Sequence, residues 1–148
     1  MSEQIFIWEG GNENVAHASM TLNGGTHISW WSTEAKSKYP RRHLMIPVTD
    51  PGPADSYGQD RTWKGRDHDH AILIVGGKLD TNAITLWWED FKVTAINDPL
   101  HINGFTVIYE ALRVGRAADY VAIPQNPVCT PAGLKSYVLE LKHRIEGP

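Results

Sequence analysis

The sequence predicts an α+β domain, and three observations carry that prediction. Short strand-like runs fill the first third of the chain. Amphipathic helical patterns fill the last half. A tight turn, Asn23-Gly24-Gly25, joins two of the strand-like runs as a hairpin, because Asn and Gly accept the positive φ angles such turns need. Strands early and helices late is the order of a small antiparallel sheet covered by helices, not of alternating βαβ units. With 148 residues, the chain is read as one domain, 1–148, large enough to bury a core.

The elements follow in order. Gln4 to Trp8 reads as a first strand, ended by Glu9-Gly10-Gly11. Val15 to Leu22 and Thr26 to Trp31 form the hairpin, with Val15, His17, Ser19 and Thr21 on one side by the two-residue period of a strand. Residues 36–66 are rich in Pro, Gly, Asp, Ser and basic side chains without sustained periodicity, and read as a long surface insertion. Ala71 to Val75 is a continuous apolar run, which predicts a central strand, and Gly76-Gly77 ends it. Three helices follow. The first has Asp80 as N-cap and Ile84, Trp87, Trp88 and Phe91 as its apolar stripe. The second runs from about Gly104 to Val114 on Phe105, Ile108, Tyr109 and Leu112, with Gly115 as its C-terminal cap. The third starts at Thr130-Pro131, an N-cap followed by proline at the first helical position, and buries Leu134, Val138, Leu141 and Ile145.

Composition narrows the function classes. Hydrophobic residues make up 41% and charged residues 21%, ordinary for a globular protein. The formal net charge of −3 and the lack of a basic block argue against nucleic acid as a partner. No apolar run approaches the roughly 18–20 residues of a membrane span. The start, MSEQIFIWEGG, lacks the layout of a signal peptide. The lone Cys129 excludes an internal disulfide and fits a reducing compartment, so the expected location is the cytoplasm, or outside the cell by a route without a conventional signal peptide. Six tryptophans are read mostly as core or as pocket walls; of Trp30 and Trp31, which point to opposite faces, one is core and the other a candidate cleft wall.

His17 is the leading candidate for chemistry. Ser29 lies twelve residues on, on the return strand, where a tight turn brings the two side by side. An imidazole held by a polar neighbour is the arrangement of a general base. His27 has the same strand parity and competes with Ser29 for that role. His68-Asp69-His70 puts two imidazoles on one face, but no third ligand is evident, so no metal and no cofactor is expected. His43 beside Arg41-Arg42 reads as solvent-facing, His101 as a loop end or pocket residue, and His143 as a partner of a helix C-terminus.

Val15-Ala16-His17-Ala18-Ser19 followed by Ile28-Ser29-Trp30-Trp31 resembles the start of circularly permuted, NlpC-type papain-like cysteine hydrolases, relatives of lecithin retinol acyltransferase-like proteins. Leu79-Asp80 through Trp87-Trp88-Glu89-Asp90-Phe91-Lys92, Asn103 through Leu112, and the Thr130-Pro131 helix are similar to later parts of that group, so short motifs cover nearly the whole chain. The resemblance implies a permuted papain-like fold, a small antiparallel sheet packed on about three helices. It makes His17 the base and Ser29 its orienting residue. It also implies a nucleophilic cysteine at the helix start after Asn103, where this chain has Gly104.

A cysteine is wanted at that place because unpaired N–H groups and the positive end of the helix lower a thiol pKa. Gly104 reads in three ways: a cysteine replaced by engineering or by nature in a peptidase or amidase, a natural pseudoenzyme that binds without chemistry, or an ordinary turn and cap. Implied substrates are peptide, peptidoglycan or acyl groups. The type of protein implied is a bacterial effector or toxin, with an immunity or host protein as a further partner. A rival reading makes Cys129, just before the last helix, the nucleophile of a hydrolase or acyltransferase.

Overall fold

Hairpin register decides how this sheet is laid out. In a computed structural model, which describes residues 2–10, 16–23, 25–31, 52–54, 56–94, 104–124 and 130–147, β1 (Ser2–Trp8) pairs antiparallel with β2 (His17–Leu22). Strand β2 turns back into β3 (His27–Trp31) with Ser19 opposite Ser29 and Thr21 opposite His27. Gly25 takes φ +95°, which a side chain would oppose, and Leu22 and Thr26 close the turn with an N–H to carbonyl bond of 2.8 Å. The two-residue β4 (Gly52–Pro53) extends the sheet beyond β3, and β5 (His70–Val75) pairs with β1 on the other side, so the strand order is β4-β3-β2-β1-β5.

Helices complete an α+β fold: α1 (Tyr57–Lys64), α2 (Thr81–Thr94), α3 (Gly104–Val114) and α4 (Pro131–Glu146), with a 3-10 turn at Ala117–Asp119 after α3. None of the helices among the described residues is long and apolar enough to cross a membrane.

Strand alternation gives the sheet two unlike faces. Ile5, Ile7, Met20, Ile28, Ile72 and Ile74 point to one face, where they join Ile84 of α2, Ile108 and Leu112 of α3 and Leu134 of α4 in a single apolar cluster. Glu3 sits on that same face at 1% exposure with neither carboxylate oxygen hydrogen-bonded among the described residues, and burial pushes its pKa up. The opposite face carries Phe6, Trp8, His17, Ser19, Ser29 and Trp31. Helix α1 covers this second face, with the Tyr57 ring 4.6 Å from Phe6 and 5.8 Å from Trp8 between centroids.

The helix starts match the sequence expectations. The Asp80 carboxylate accepts from the Ala83 N–H at 3.0 Å, and the Thr130 hydroxyl accepts from the Gly133 N–H at 3.1 Å ahead of Pro131. Phe105, Ile108, Tyr109 and Leu112 are all buried. Three expectations are corrected. Strand β5 lies at the sheet edge, not at its centre; Ile72 and Ile74 are buried while Leu73 and Val75 are 43% and 41% exposed. A continuous apolar run does not distinguish the two cases, since one face of an edge strand can stay apolar and open. The proposed 36–66 insertion is no simple surface loop: 36–51 and 55 lie outside the described residues, but 52–54 and 56–66 supply β4 and α1, and α1 is docked on the sheet. Gly115 does not take the left-handed conformation; Arg116 does, at φ 68°.

Gly115 is instead required by packing between α2 and α3. A Cβ on it would lie 2.5 Å from Cδ1 and 2.9 Å from Cγ1 of Ile84, a side chain that is itself fully buried. Gly115→Ala is therefore expected to lower stability by about 1–3 kcal/mol, the range for overpacking a filled core, read as a lower denaturation midpoint with an unchanged slope.

Candidate active site

His17 opens β2 on the face away from the apolar cluster and is 2% exposed. Its ring is stacked on one side by Trp31, with centroids 4.0 Å apart, and meets Trp8 on another at 5.5 Å. Trp31 is the last residue of β3 and Trp8 the last of β1, so both walls come from strand ends next to the start of β2. Trp30 points the other way and packs on Phe91 of α2, while Trp31 is wholly buried against His17, a ring support and not an open cleft wall.

Nε2 of His17 lies 2.9 Å from the Ser29 hydroxyl and 3.1 Å from Oδ1 of Asp60. Asp60 projects from α1 and has no exposed surface. Its Oδ1 also accepts from the Ser29 hydroxyl at 2.5 Å and from the Trp31 indole N–H at 2.8 Å, and its Oδ2 accepts from Nε2 of His27 at 2.5 Å. Thr21 lies 2.8 Å from Nδ1 of His27 and completes the chain of polar contacts. One carboxylate thus gathers two histidines, a serine and a tryptophan.

Proton accounting fixes the tautomers. Ser29 has one hydroxyl hydrogen and gives it to Asp60, so the contact between Ser29 and His17 needs the hydrogen on Nε2 of His17. Nδ1 of a neutral His17 is then the basic nitrogen. Nε2 of His27 likewise donates to the Asp60 carboxylate, and its Nδ1 shares a hydrogen bond with the Thr21 hydroxyl. Burial by itself would raise the Asp60 pKa, but the charges and hydrogen bonds of His17 and His27 outweigh it and hold the carboxyl well below the usual carboxylate range. Asp60 is therefore an anion that takes no proton at neutral pH.

Nδ1 of His17 faces Gly104, the first residue of α3. A Cβ built on Gly104 lies 3.0 Å from Nδ1, 3.3 Å from the Trp30 carbonyl and 3.4 Å from the Ala18 carbonyl. A side chain at 104 needs its neighbours to yield by a few tenths of an ångström, and it would then touch the imidazole directly. His17, Ser29 and Gly104 are thus brought together.

His27 does not touch His17; it reaches the site through Asp60. His68 and His70 take separate partners, with Tyr57 2.8 Å from Nδ1 of His68 and a Glu9 carboxylate oxygen 3.5 Å from Nε2 of His70. Among the described residues no group of three or more His, Cys, Asp or Glu is placed to hold a metal. His43, His101, Asn103 and Cys129 lie outside the described residues, and His143 is exposed near the end of α4.

Asp60 and α1 are what sequence reasoning missed. A local signal was present: Ser56 followed three residues later by Gln59 is a capping-box pattern, and Gly65 is a helix stop. The Ser56 hydroxyl does accept from the Gln59 N–H at 3.2 Å, and Gly65 is left-handed at φ 82°.

Removing the carboxylate strands buried N–H and O–H groups on four side chains. Asp60→Ala is expected to cost about 3–5 kcal/mol in chemical denaturation at neutral pH. The acid response has a definite sign. Asp60 has a folded pKa below its ordinary 3.8, so its contribution is whole above that pH and is lost as the pH falls through the folded value. Denaturation midpoints measured from pH 4 down to pH 2 should drop more steeply for the unaltered chain than for Asp60→Asn. In comparisons with known proteins, no protein-family model, no curated protein and no solved structure matches this chain.

Proposed function

We propose that this chain carries a cysteine-hydrolase site of the permuted papain-like kind, with its nucleophile position at residue 104 and glycine standing there. The observation that carries the reading is the approach of a Cβ at 104 to within 3.0 Å of Nδ1 of His17, while Nε2 on the other side of the ring is held by Asp60 and Ser29. The basic nitrogen of a positioned imidazole and the start of an eleven-residue helix converge on one backbone position. That is where a thiol would be ionised, by the helix dipole and by the base together.

Roles follow from the contacts. With a thiol at 104, Nδ1 of His17 takes its proton, and the sulfur adds to an acyl carbon. The imidazolium returns the proton to the leaving amine or alcohol, and water then releases the acyl group by the same base. Asp60 and Ser29 hold the ring and its tautomer, and the Asp60 anion balances the imidazolium. Trp31 keeps the ring in plane by stacking. Acyl groups of peptides, peptidoglycan fragments or esters are the substrate class, and amide hydrolysis in an effector or toxin is the setting the resemblance suggests. A partner such as an immunity or host protein belongs to the same proposal. Gly104 itself favours a second reading, a binding module descended from such an enzyme, because glycine forms no thioester.

Gly104→Cys tests the site. The variant is expected to react with an alkylating probe at neutral pH faster than free cysteine does, and to release acyl groups from peptide, peptidoglycan or ester substrates. Adding His17→Ala should lower that turnover by about 10²–10⁴-fold, the usual weight of a general base. A thiol at 104 that alkylates no faster than free cysteine sinks the proposal. Cys129→Ala is expected to leave the variant's turnover intact; loss of turnover there moves the nucleophile to Cys129.

A further inference from the structure

Strand β5 ends the sheet, with β1 as its one strand neighbour among the described residues. Backbone groups in an antiparallel ladder point alternately to one side and the other. The Asn23 N–H donates to the Ser2 carbonyl, so even-numbered residues of β1 turn toward β2. The Asp69 N–H donates to the Ile7 carbonyl, so odd-numbered residues of β1 turn toward β5. Ile72 and Ile74 lie opposite Ile5 and Glu3 and bond inward. Ala71, Leu73 and Val75 therefore turn their N–H and C=O groups outward, and all three residues are exposed. One side chain meets this row: the Lys142 ammonium of α4 donates to the Leu73 carbonyl at 2.5 Å and pairs with Glu146 at 2.7 Å.

Such an edge is a template for another strand. The run Ala71-Ile72-Leu73-Ile74-Val75 has no charge and no proline, the composition that pairs with its own kind. A lysine on an edge discourages that pairing. Here it covers a single carbonyl. Among the described residues the carbonyls of Ala71 and Val75 and the outward N–H groups have no partner.

We propose that the open edge of β5 takes a second copy of this chain, antiparallel and two-fold related with Leu73 against Leu73, once Lys142 releases that carbonyl. This register pairs all three outward residues, since Ala71 of each copy then faces Val75 of the other. The exposed Leu73 and Val75 side chains of both copies fall on one face, where cross-strand neighbours touch. Charge favours the same direction. Asp67 and Asp69 precede the strand and are held by Arg61 and Arg66. Lys78 follows the strand and has no ion-pair partner among the described residues. Antiparallel pairing carries the Lys78 end of one copy to the Asp67–Asp69 end of the other, whereas parallel pairing sets like ends together. A two-fold contact closes on itself, so assembly through this edge stops at two copies. The surface is independent of the reading of residue 104.

Sedimentation of the full-length chain over a range of concentrations tests it. One strand pair is a small interface against the roughly 1,200–2,000 Å² of stable complexes, so the expected dimer is weak and reversible. Lys142→Met keeps the apolar stem and removes the competing donor from both copies, and should tighten the dimer about tenfold or more. Leu73→Lys sets two ammonium groups against each other on the two-fold axis and should leave a monomer with unchanged circular dichroism. Lys78→Glu should weaken the dimer several-fold, more so at low salt than at high. Amide exchange at Ala71, Leu73 and Val75 should slow as concentration rises. A dimer seen in Lys142→Met alone, and lost when Leu73→Lys is added, supports the surface and its lysine guard. Monomers in both the unaltered chain and Lys142→Met, or a dimer that survives Leu73→Lys, overturn the proposal. Uptake of an alternating threonine–valine decapeptide by a chain that stays monomeric makes the edge a peptide site and overturns the second copy as its occupant.

Discussion

The Asp60 carboxylate is the constraint on which the rest of the site depends. It has no exposed surface, and its two oxygens accept from His17, His27, Ser29 and Trp31. Those four side chains come from β2 and β3, and Asp60 comes from α1, so one anion ties the helix to the hairpin. An ionised carboxylate in such a place is tolerated only because donors surround it. The same donors are thereby held in one geometry. Rotating His17 would break its contacts with Ser29 and Asp60 and its stack on Trp31 together.

The division of the sheet into two faces makes this possible. One face is apolar and takes α2, α3 and α4; the other is aromatic and polar and takes α1. Helix α3 belongs to the apolar side through Ile108 and Leu112, yet its first residue reaches His17 of the other side. Gly104 sits against the backbone carbonyls of Ala18 and Trp30, so the helix start abuts the ends of β2 and β3 where the two faces meet. Placing a helix N-terminus against a strand-borne histidine in this way needs close backbone approach, which glycine or a small side chain allows.

Stability and catalysis ask different things of the cluster: stability needs every buried donor matched, and base catalysis needs one imidazole nitrogen left unmatched. The hydrogen-bond pattern concentrates the pairing on Nε2 of His17 and on His27, and Nδ1 of His17 faces position 104.

Local patterns alone were enough to place the hairpin, three helices and two of their N-caps, because turn residues, apolar spacing and capping residues act within a few positions of themselves. Asp80, Thr130 and the Phe105–Leu112 stripe are legible for that reason. His17 and Ser29 were legible as a pair because they share a hairpin, and strand parity puts them on one face. Asp60 was not, since it lies 43 residues from His17 in a stretch without strand or long helical periodicity, and only docking of α1 on the sheet brings it in. The edge position of β5 and the need for glycine at 115 were hidden likewise, as both depend on what packs alongside. Sequence determined which segments become strands and helices and which residue types meet at the hairpin. Tertiary structure decided which carboxylate receives them and which nitrogen of His17 faces residue 104, because burial and hydrogen-bond completion are properties of packed elements and not of their separate sequences.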